Sequence, residues 1–369
     1  MRSAVIVGTG LVGTSVALAL RRRGVDTYLL DSDPTALHTA EALGAGRAQE
    51  PPGVADVAVL AVPPVQVAPV LAGLQKQGTA RFYTDVASVK GLPGREIEAL
   101  GCELTAVVGG HPLAGGERSG PLAARADLFE GRPWVLVPTE HTSDPALNCA
   151  LELVSLCGAT PVLLDAEVHD RAVALVSHVP HLVASLTAAR LLQGSESALR
   201  LAGQGLRDVT RTAAGSPALW TDILTANAGP VADVLEALAS DAAAVVGALR
   251  SVERRGEAAA EGAAELVELL QLGVDGRAGI PGKHGVPDAG FAAVEVSVGD
   301  SPGELARLLS DAAQADVNIE DIDIEHSSDQ LMGRARLAVL PVRARALADE
   351  LRTGGWAVRL ADWPGGQGA

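Results

Sequence analysis

Aromatic residues are scarce in this chain, with three Phe, two Tyr and four Trp among 369 residues. Ala, Val and Leu must therefore fill its cores, and a hydrophobic content of 48% is enough to build them. Basic charge is also short: 29 Lys and Arg face 45 Asp and Glu, for a net charge of −16. No basic run exceeds Arg21-Arg22-Arg23, so nucleic acid and anionic membranes should repel the chain. Any anionic substrate must then be held by a few locally placed arginines. Cys102, Cys149 and Cys157 are scattered thiols, neither an even disulfide set nor a paired metal motif. No uninterrupted apolar run is long enough to span a membrane. The opening "MRSAVIVGTGLVG" runs straight into a glycine motif and leaves no room for a signal peptide. These shortages lead us to expect a soluble, cytoplasmic protein with no metal, nucleic-acid or membrane partner.

What is present falls into three parts. Over residues 1–164, "AVIVG", "TYLLD", "DVAVLAVP", "RFYTDVA", "TAVVGG", "WVLVP" and "TPVLLD" read as strands alternating with helical stretches. Several are apolar throughout, as parallel strands covered on both faces are. The alternation predicts an α/β domain with a Rossmann-type, doubly wound parallel sheet. Over 165–272 the strands give way to Ala/Leu/Val at helical spacing, an all-α middle domain in which Pro180 and Pro230 should kink or divide their helices. Helices this apolar need a partner, which points to a homodimer. Residues 273–290 read as a Gly/Pro linker. Residues 291–369 then run strand, helix, strand, strand, helix, strand, the βαββαβ order of a ferredoxin-like unit.

"VIVGTGLVGTSVALALRRRG" places Gly8, Gly10 and Gly13 between a strand and a helix. Gly8 allows the tight turn, Gly10 the approach of a pyrophosphate, and Gly13 close packing of helix on strand. The pyrophosphate would sit on the helix N-terminus, where free N–H groups favour an anion. Asp31 closes the next strand 18 residues after Gly13, placed to accept ribose hydroxyls and repel a 2′-phosphate. Asp33 adds to that repulsion, and no arginine follows before Arg47. The expected cofactor is NAD, with Gly8, Thr9, Gly10, Leu11, Val12, Gly13, Asp31 and Val62 as its contacts.

Ligands of open α/β sheets bind beyond the carboxyl ends of the strands. "TAVVGGHPLAGGERSG" places His111 just past one such end, and "TDVASVKG" places Ser88 and Lys90 past the preceding one. A histidine there is either a solvated loop residue or a base that accepts a proton while hydride leaves for NAD, a role its ordinary pKa near 6.5 suits. Ser88 could fix the ring's tautomer. Lys90 reads equally well as a helix-start charge.

"GGHPLAGGERSG" and "TDVASVKG", followed in order by "HDRAVALVSHVPHLVA" (169–184) and "GLRDVTRTAAGSPALWTDILTAN" (205–227), resemble the prephenate/arogenate dehydrogenase family of tyrosine biosynthesis. The resemblance covers about residues 1–270. It implies oxidative decarboxylation of a cyclohexadienol. Hydride leaves the ring carbon that bears the hydroxyl, carbon dioxide leaves the opposite carbon, and aromatisation drives the step without a metal. It further implies that His111 deprotonates the ring hydroxyl and that Ser88 supports His111 near the nicotinamide. Arg211 would bind a substrate carboxylate through its planar fork. His178 and His181 would lie near the substrate's side chain, with Glu117 at the pocket. Each has a plainer alternative: a helix-end charge for Arg211, simple packing for the two histidines, a surface pair for Glu117. The substrate is prephenate, arogenate or an amino-substituted analogue; no residue reads the difference.

"GDSPGELARLLSDAAQADVNIEDIDIE" resembles an ACT domain, a ligand-sensing unit of amino-acid biosynthetic enzymes. That resemblance implies an effector such as tyrosine, framed by Asp300, Ser301, Pro302, Gly303 and Asn318. It also keeps open a non-catalytic regulator that binds NAD or an amino acid without turnover. Some hydroxyacid dehydrogenases of similar build use a lysine from the helical part. With lysines only at 76, 90 and 283, this chain offers none there.

Overall fold

All seven apolar runs of the N-terminal part form strands: β1 (Ser3–Val7), β2 (Asp26–Leu30), β3 (Ala55–Leu60), β4 (Ala80–Asp85), β5 (Val107–Pro112), β6 (Pro133–Val137) and β7 (Thr160–Leu163). The structure is a computed structural model that describes residues 1–115, 118–254, 256–280, 291–326 and 332–362. The seven strands make one sheet in the order β2-β1-β3-β4-β5-β6-β7. Helices α1 (Leu11–Arg22), α2 (Pro34–Ala42), α3 (Pro64–Gln77), α4 (Gly91–Ala99) and α5 (Asp144–Leu156) connect them. Alternate residues of β1 show why the strands are apolar throughout. Ala4 and Ile6 enter a core with Val16, Leu20 and Leu153, while Val5 enters another with Val67, Leu71 and Tyr83. Both faces are covered, as parallel strands require. Trp134 and Phe129 are the largest fully buried side chains, and their rings pack against each other at 5.1 Å. Aliphatic side chains fill most of the remaining core.

Two features depart from the expected parallel sheet. β5 pairs with β4 in parallel through Val107 and Val108, then pairs with β6 in the antiparallel sense through Gly109–Pro112. Parallel neighbours need a crossover, usually helical. Among the described residues between β5 and β6 the only helix is the single turn Pro121–Ala123, so β6 enters from the opposite end. His111 also belongs to β5, opposite Val135, rather than to a loop beyond a strand.

Seven helices follow: α6 (Ala166–Val173), α7 (Val179–Leu191), α8 (Glu196–Arg200), α9 (Gln204–Thr210), α10 (Pro217–Ala226), α11 (Ala228–Glu253) and α12 (Glu257–Ala278). A π-helical turn, Ala174–His178, joins α6 to α7. The expected interruptions are present: the π turn directly precedes the Pro180 turn inside a continuous helical stretch, and Pro230 falls in the first turn of α11, just past the break from α10 at Asn227. The continuous stretch Ala166–Leu191 is long and apolar enough to cross a membrane by length and composition, with mean hydropathy 1.5 over an 18-residue window. Sequence reading by uninterrupted apolar runs passes over it, because His169, Asp170, His178 and His181 break the run; all four are buried.

The chain divides into two compact units, residues 1–239 and 240–369. The first joins the sheet domain to the helices up to Ala239. Helix α12 continues through Ala278, so the first six residues assigned to the linker are helical. The second unit contains β8 (Ala292–Gly299), α13 (Glu304–Gln314), β9 (Asp321–His326), β10 (Met332–Val339), α14 (Pro341–Thr353) and β11 (Val358–Asp362). Its sheet order is β11-β8-β10-β9 with every neighbour antiparallel. Leu308, Ala312, Leu347 and Leu351 of the two helices share one core with Val294, Val296 and Leu337 of the strands. This is the βαββαβ arrangement expected.

Candidate active site

The loop between β1 and α1 is shaped by what a side chain would strike. Gly8 has φ +98°, and a Cβ there would lie 2.2 Å from the Ala61 carbonyl oxygen. A Cβ on Gly13 would lie 1.9 Å from the Gly8 oxygen, whereas one on Gly10 would meet nothing within 4 Å. Two glycines therefore serve packing, and the third opens the space a pyrophosphate takes. Gly10 is the N-cap of α1 and offers no side-chain cap. The N–H groups of Leu11, Val12 and Gly13 consequently have no partner within the helix and can bind an anion. Val62 borders the turn, its Cγ1 3.4 Å from that Gly8 position.

Thr9 has a different task from the one expected. Its N–H and hydroxyl both donate to Asp31 Oδ2, at 2.5 and 2.7 Å, tying the glycine loop to the end of β2. Asp31 Oδ1 accepts the Asp33 N–H at 2.8 Å, and Asp33 caps α2 through the Thr35 N–H. Arg47 lies beside β2, but its guanidinium faces Asp26 at the opposite end of that strand. The ribose position thus keeps its acidic character. The residues present fit NAD.

At the carboxyl ends of β4 and β5, His111 Nδ1 lies 2.8 Å from His169 Nε2, and His169 Nδ1 lies 2.8 Å from Asp170 Oδ1. Asp170 Oδ1 also accepts the Lys90 N–H, and Oδ2 the Gly91 N–H, each at 2.8 Å. Burial alone would raise the Asp170 pKa, but the His169 N–H and these two amides hold it below the usual carboxylate range. An ionised Asp170 only accepts, so His169 carries its proton on Nδ1. His169 Nε2 is then an acceptor, which puts the His111 proton on Nδ1 and leaves His111 Nε2 with a free lone pair. Desolvation pushes the His111 pKa well below its ordinary value, and the Lys90 charge pushes the same way. The chain therefore presents a neutral imidazole in one tautomer.

Ser88, expected to hold this ring, is half-buried, and its hydroxyl makes no hydrogen bond among the described residues. The support comes from His169 and Asp170, which sequence reasoning quoted within a motif but gave no role. Asn227, at the end of another quoted motif, was missed as well. It is buried, and its Nδ2 donates to the Asp170 carbonyl at 2.8 Å and approaches His178 Nδ1 at 3.1 Å. Burial pushes the His178 pKa down to about 4. His181 stacks on Trp220, with centroids 3.6 Å apart and planes 10° apart, and its buried Nδ1 has no protein partner. Arg211 lies on the short helix Arg211–Ala214, which packs against α7. Glu117 lies outside the described residues. Lys90 is indeed the N-cap of α4, yet it is buried and ion-paired with Asp85. Among the described residues no group of three or more His, Cys, Asp or Glu side chains is arranged to hold a metal.

The residues assigned to effector binding divide. Asp300, Ser301 and Gly303 line a cavity of about 160 Å³ with Val298, Ile324 and Ala335. Asn318 lies in a separate groove, where its Nδ2 donates to Glu320 at 2.6 Å. Gly303, with φ +95°, is the N-cap of α13, so Pro302 precedes the cap rather than occupying the first helical position.

A glycine cradle at the head of a Rossmann-type sheet, with an oriented imidazole on the carboxyl-terminal part of β5, defines an NAD-dependent dehydrogenase. The family of prephenate dehydrogenase nucleotide-binding domains matches residues 16–163, and that of prephenate dehydrogenase dimerization domains matches 165–271. A probable prephenate dehydrogenase, NovF of Streptomyces niveus, is 51% identical over 96% of this chain and 99% of its own length. Prephenate dehydrogenase from A. aeolicus, solved with hydroxyphenyl propionate and NAD+, superposes with a TM-score of 0.64 at 28% identity, covering 75% of this chain and 97% of that one. Synechocystis arogenate dehydrogenase gives a TM-score of 0.61 at 28% identity, over 75% and 99%. The chain belongs to the prephenate dehydrogenase family and is an NAD-dependent oxidoreductase, which removes the non-catalytic regulator as an alternative.

Proposed function

We propose that the chain converts prephenate to 4-hydroxyphenylpyruvate in the cytoplasm, as a homodimer, for tyrosine biosynthesis. The observation that carries this reading is the Asp170–His169–His111 chain, which leaves one imidazole nitrogen free at the carboxyl ends of β4 and β5. NAD, which the glycine cradle and the Asp31 end of β2 would hold, would supply the acceptor for hydride from the ring carbon bearing the hydroxyl. His111 Nε2 takes the hydroxyl proton as that carbon becomes a carbonyl, and loss of carbon dioxide from the opposite carbon aromatises the ring. Holding His111 neutral before the reaction favours proton acceptance. Arg211 binds a carboxylate, and the His181–Trp220 stack flanks the substrate side chain, with the unpartnered His181 Nδ1 as a polar contact. Ser88 lies on the nicotinamide side. In the C-terminal unit, an ACT-like sensor, Asp300, Ser301 and Gly303 frame an amino-acid effector such as tyrosine.

The test is NADH formation by the purified protein with NAD and either prephenate or arogenate, repeated with NADP and with tyrosine. Fast turnover of prephenate is expected, along with inhibition by tyrosine. Preference for arogenate would transfer the assignment to the amino substrate, and inertness toward both would remove it. His111→Asn should still bind NAD but lose roughly 10²–10⁴-fold in kcat, the usual contribution of a positioned base.

A further inference from the structure

We infer that Lys90 is a positioning residue that fixes the His111 ring from both sides; this rests on His111 being the base. The Lys90 ammonium donates to the carbonyl of Gly110, one residue before His111, and so holds the strand that carries the ring. The Lys90 backbone N–H donates to Asp170 Oδ1, from which hydrogen bonds pass through His169 to His111 Nδ1. Main chain and ring of one histidine are thus referenced to a single residue. The glycines before His111 belong to the same device. A Cβ on Gly109 would lie 3.3 Å from Lys90 Cδ, and one on Gly110 would lie 2.5 Å from the Asp85 carbonyl oxygen. Bulkier residues there would displace the lysine stem or part β5 from the end of β4.

A bare structural ion pair is a poor account of this arrangement. The Lys90–Asp85 pair is buried at both partners, and such pairs are often no more stabilising than apolar residues of similar volume. Asp85 Oδ1 takes the ammonium together with the Ala87 N–H at 2.9 Å, so the carboxylate already has a backbone donor besides the lysine. The groups facing the His111 ring are Lys90 from the β4–α4 connection, His169 and Asp170 from α6, and His178 from the π turn. Of these, Lys90 carries the positive charge: burial lowers its pKa, the ion pair with Asp85 opposes that, and the ammonium disfavours an imidazolium at His111.

The experiment compares Lys90→Met, the charge-balanced pair Asp85→Asn with Lys90→Met, and His111→Asn as full-length proteins. Removing Lys90 should lower kcat about tenfold or more while KM for NAD and substrate stay within about twofold. The acid limb of the kcat profile should move to higher pH, because loss of the cation makes His111 easier to protonate. Histidine nitrogen NMR should show His111 Nδ1 protonated in the wild type; both Lys90→Met proteins keep the backbone N–H to Asp170, so that tautomer should persist while the His111 resonances shift and broaden as the Gly110 anchor is lost. The double variant keeps the interior neutral if Lys90→Met alone does not fold. Wild-type kcat with an unmoved acid limb and unshifted His111 resonances would overturn the proposal. If His111→Asn retains wild-type turnover, the base assignment fails on its own, and the His111 spectra of the Lys90 variants still decide whether Lys90 positions the ring.

Discussion

At His111 the useful nitrogen is decided by residues 58 and 59 positions away. Without the Asp170–His169 pair both tautomers of a neutral imidazole would be populated, and one presents N–H where a base needs a lone pair. His169→Gln should therefore lower kcat roughly tenfold to hundredfold, part of what a positioned base supplies, with KM within about twofold. Steady-state kinetics in both ligands checks it; a rise in KM alone would make His169 a binding residue. His178 gives a prediction about stability. Its pKa falls from the ordinary 6.5 to about 4 on burial, so the folded state binds its proton less readily than the unfolded chain. The contribution of neutral His178 is complete above pH about 6.5 and is lost as pH falls through 4. Denaturation midpoints between pH 7 and 4.5 should fall more steeply for the wild type than for His178→Gln. His111 itself was legible in the sequence from its glycine setting, although it lies within β5 and not after it. Its partner was not, because Ser88 and His111 end adjacent strands, whereas nothing in a local pattern says where α6 lands. The adjacent pair His169-Asp170 at the head of an apolar helix was the available signal.

At the scale of elements, the glycines of β1–α1 and β5 look alike in sequence and differ in purpose. Gly10→Ala places a Cβ in open space, so thermal stability should hold while NAD affinity is lost. Gly110→Ala drives a Cβ to 2.5 Å from the Asp85 carbonyl and 2.9 Å from Thr84 Oγ1. Overpacking of this kind costs typically about 1–3 kcal/mol. At roughly 2–4 °C per kcal/mol for a domain of this size, Tm should fall by several degrees. Activity should fall with it, because His111 is the next residue. Thermal melts and NAD titrations of the two variants separate these outcomes; equal Tm values would mean that β4 and β5 part without cost. The strands themselves were readable because each is an apolar run with glycine, proline or polar residues at its ends. The reversal at β6 was not, since strand direction depends on how residues 113–132 cross the sheet edge, and an apolar run reads the same either way. At Pro180 the sequence did signal an interruption, though not that it takes the form of a π turn, which adds a residue to a helical turn without a change in composition.

For the whole molecule the question is what covers the helices. On α12, Val267, Leu270 and Val274 are 65%, 72% and 61% exposed, and their spacing of three and four residues aligns them in one stripe. On α11, Val246 and Leu249 are 57% and 50% exposed. Large side chains left in water forgo roughly 1.5–3 kcal/mol each relative to full burial, so a continuous stripe is a strong drive to associate. These residues, apart from Val274, lie within the segment matched by the dimerization-domain family. Sequence reading anticipated a partner from the same apolarity, but without a fold it could not separate positions that face the chain's own core from those that do not. Ala248 shows the difference: it lies between Val246 and Leu249 and is 1% exposed. We therefore expect the purified protein to sediment as a dimer at micromolar concentration, and Val267→Glu with Leu270→Glu to shift it toward monomer. Each charge would have to be buried without a partner at such an interface, a cost that one substituted stripe imposes on both copies. Analytical ultracentrifugation of the two proteins decides it. A double variant that remains dimeric at the same concentration would place the contact on another face, with α11 or α7 the next to test.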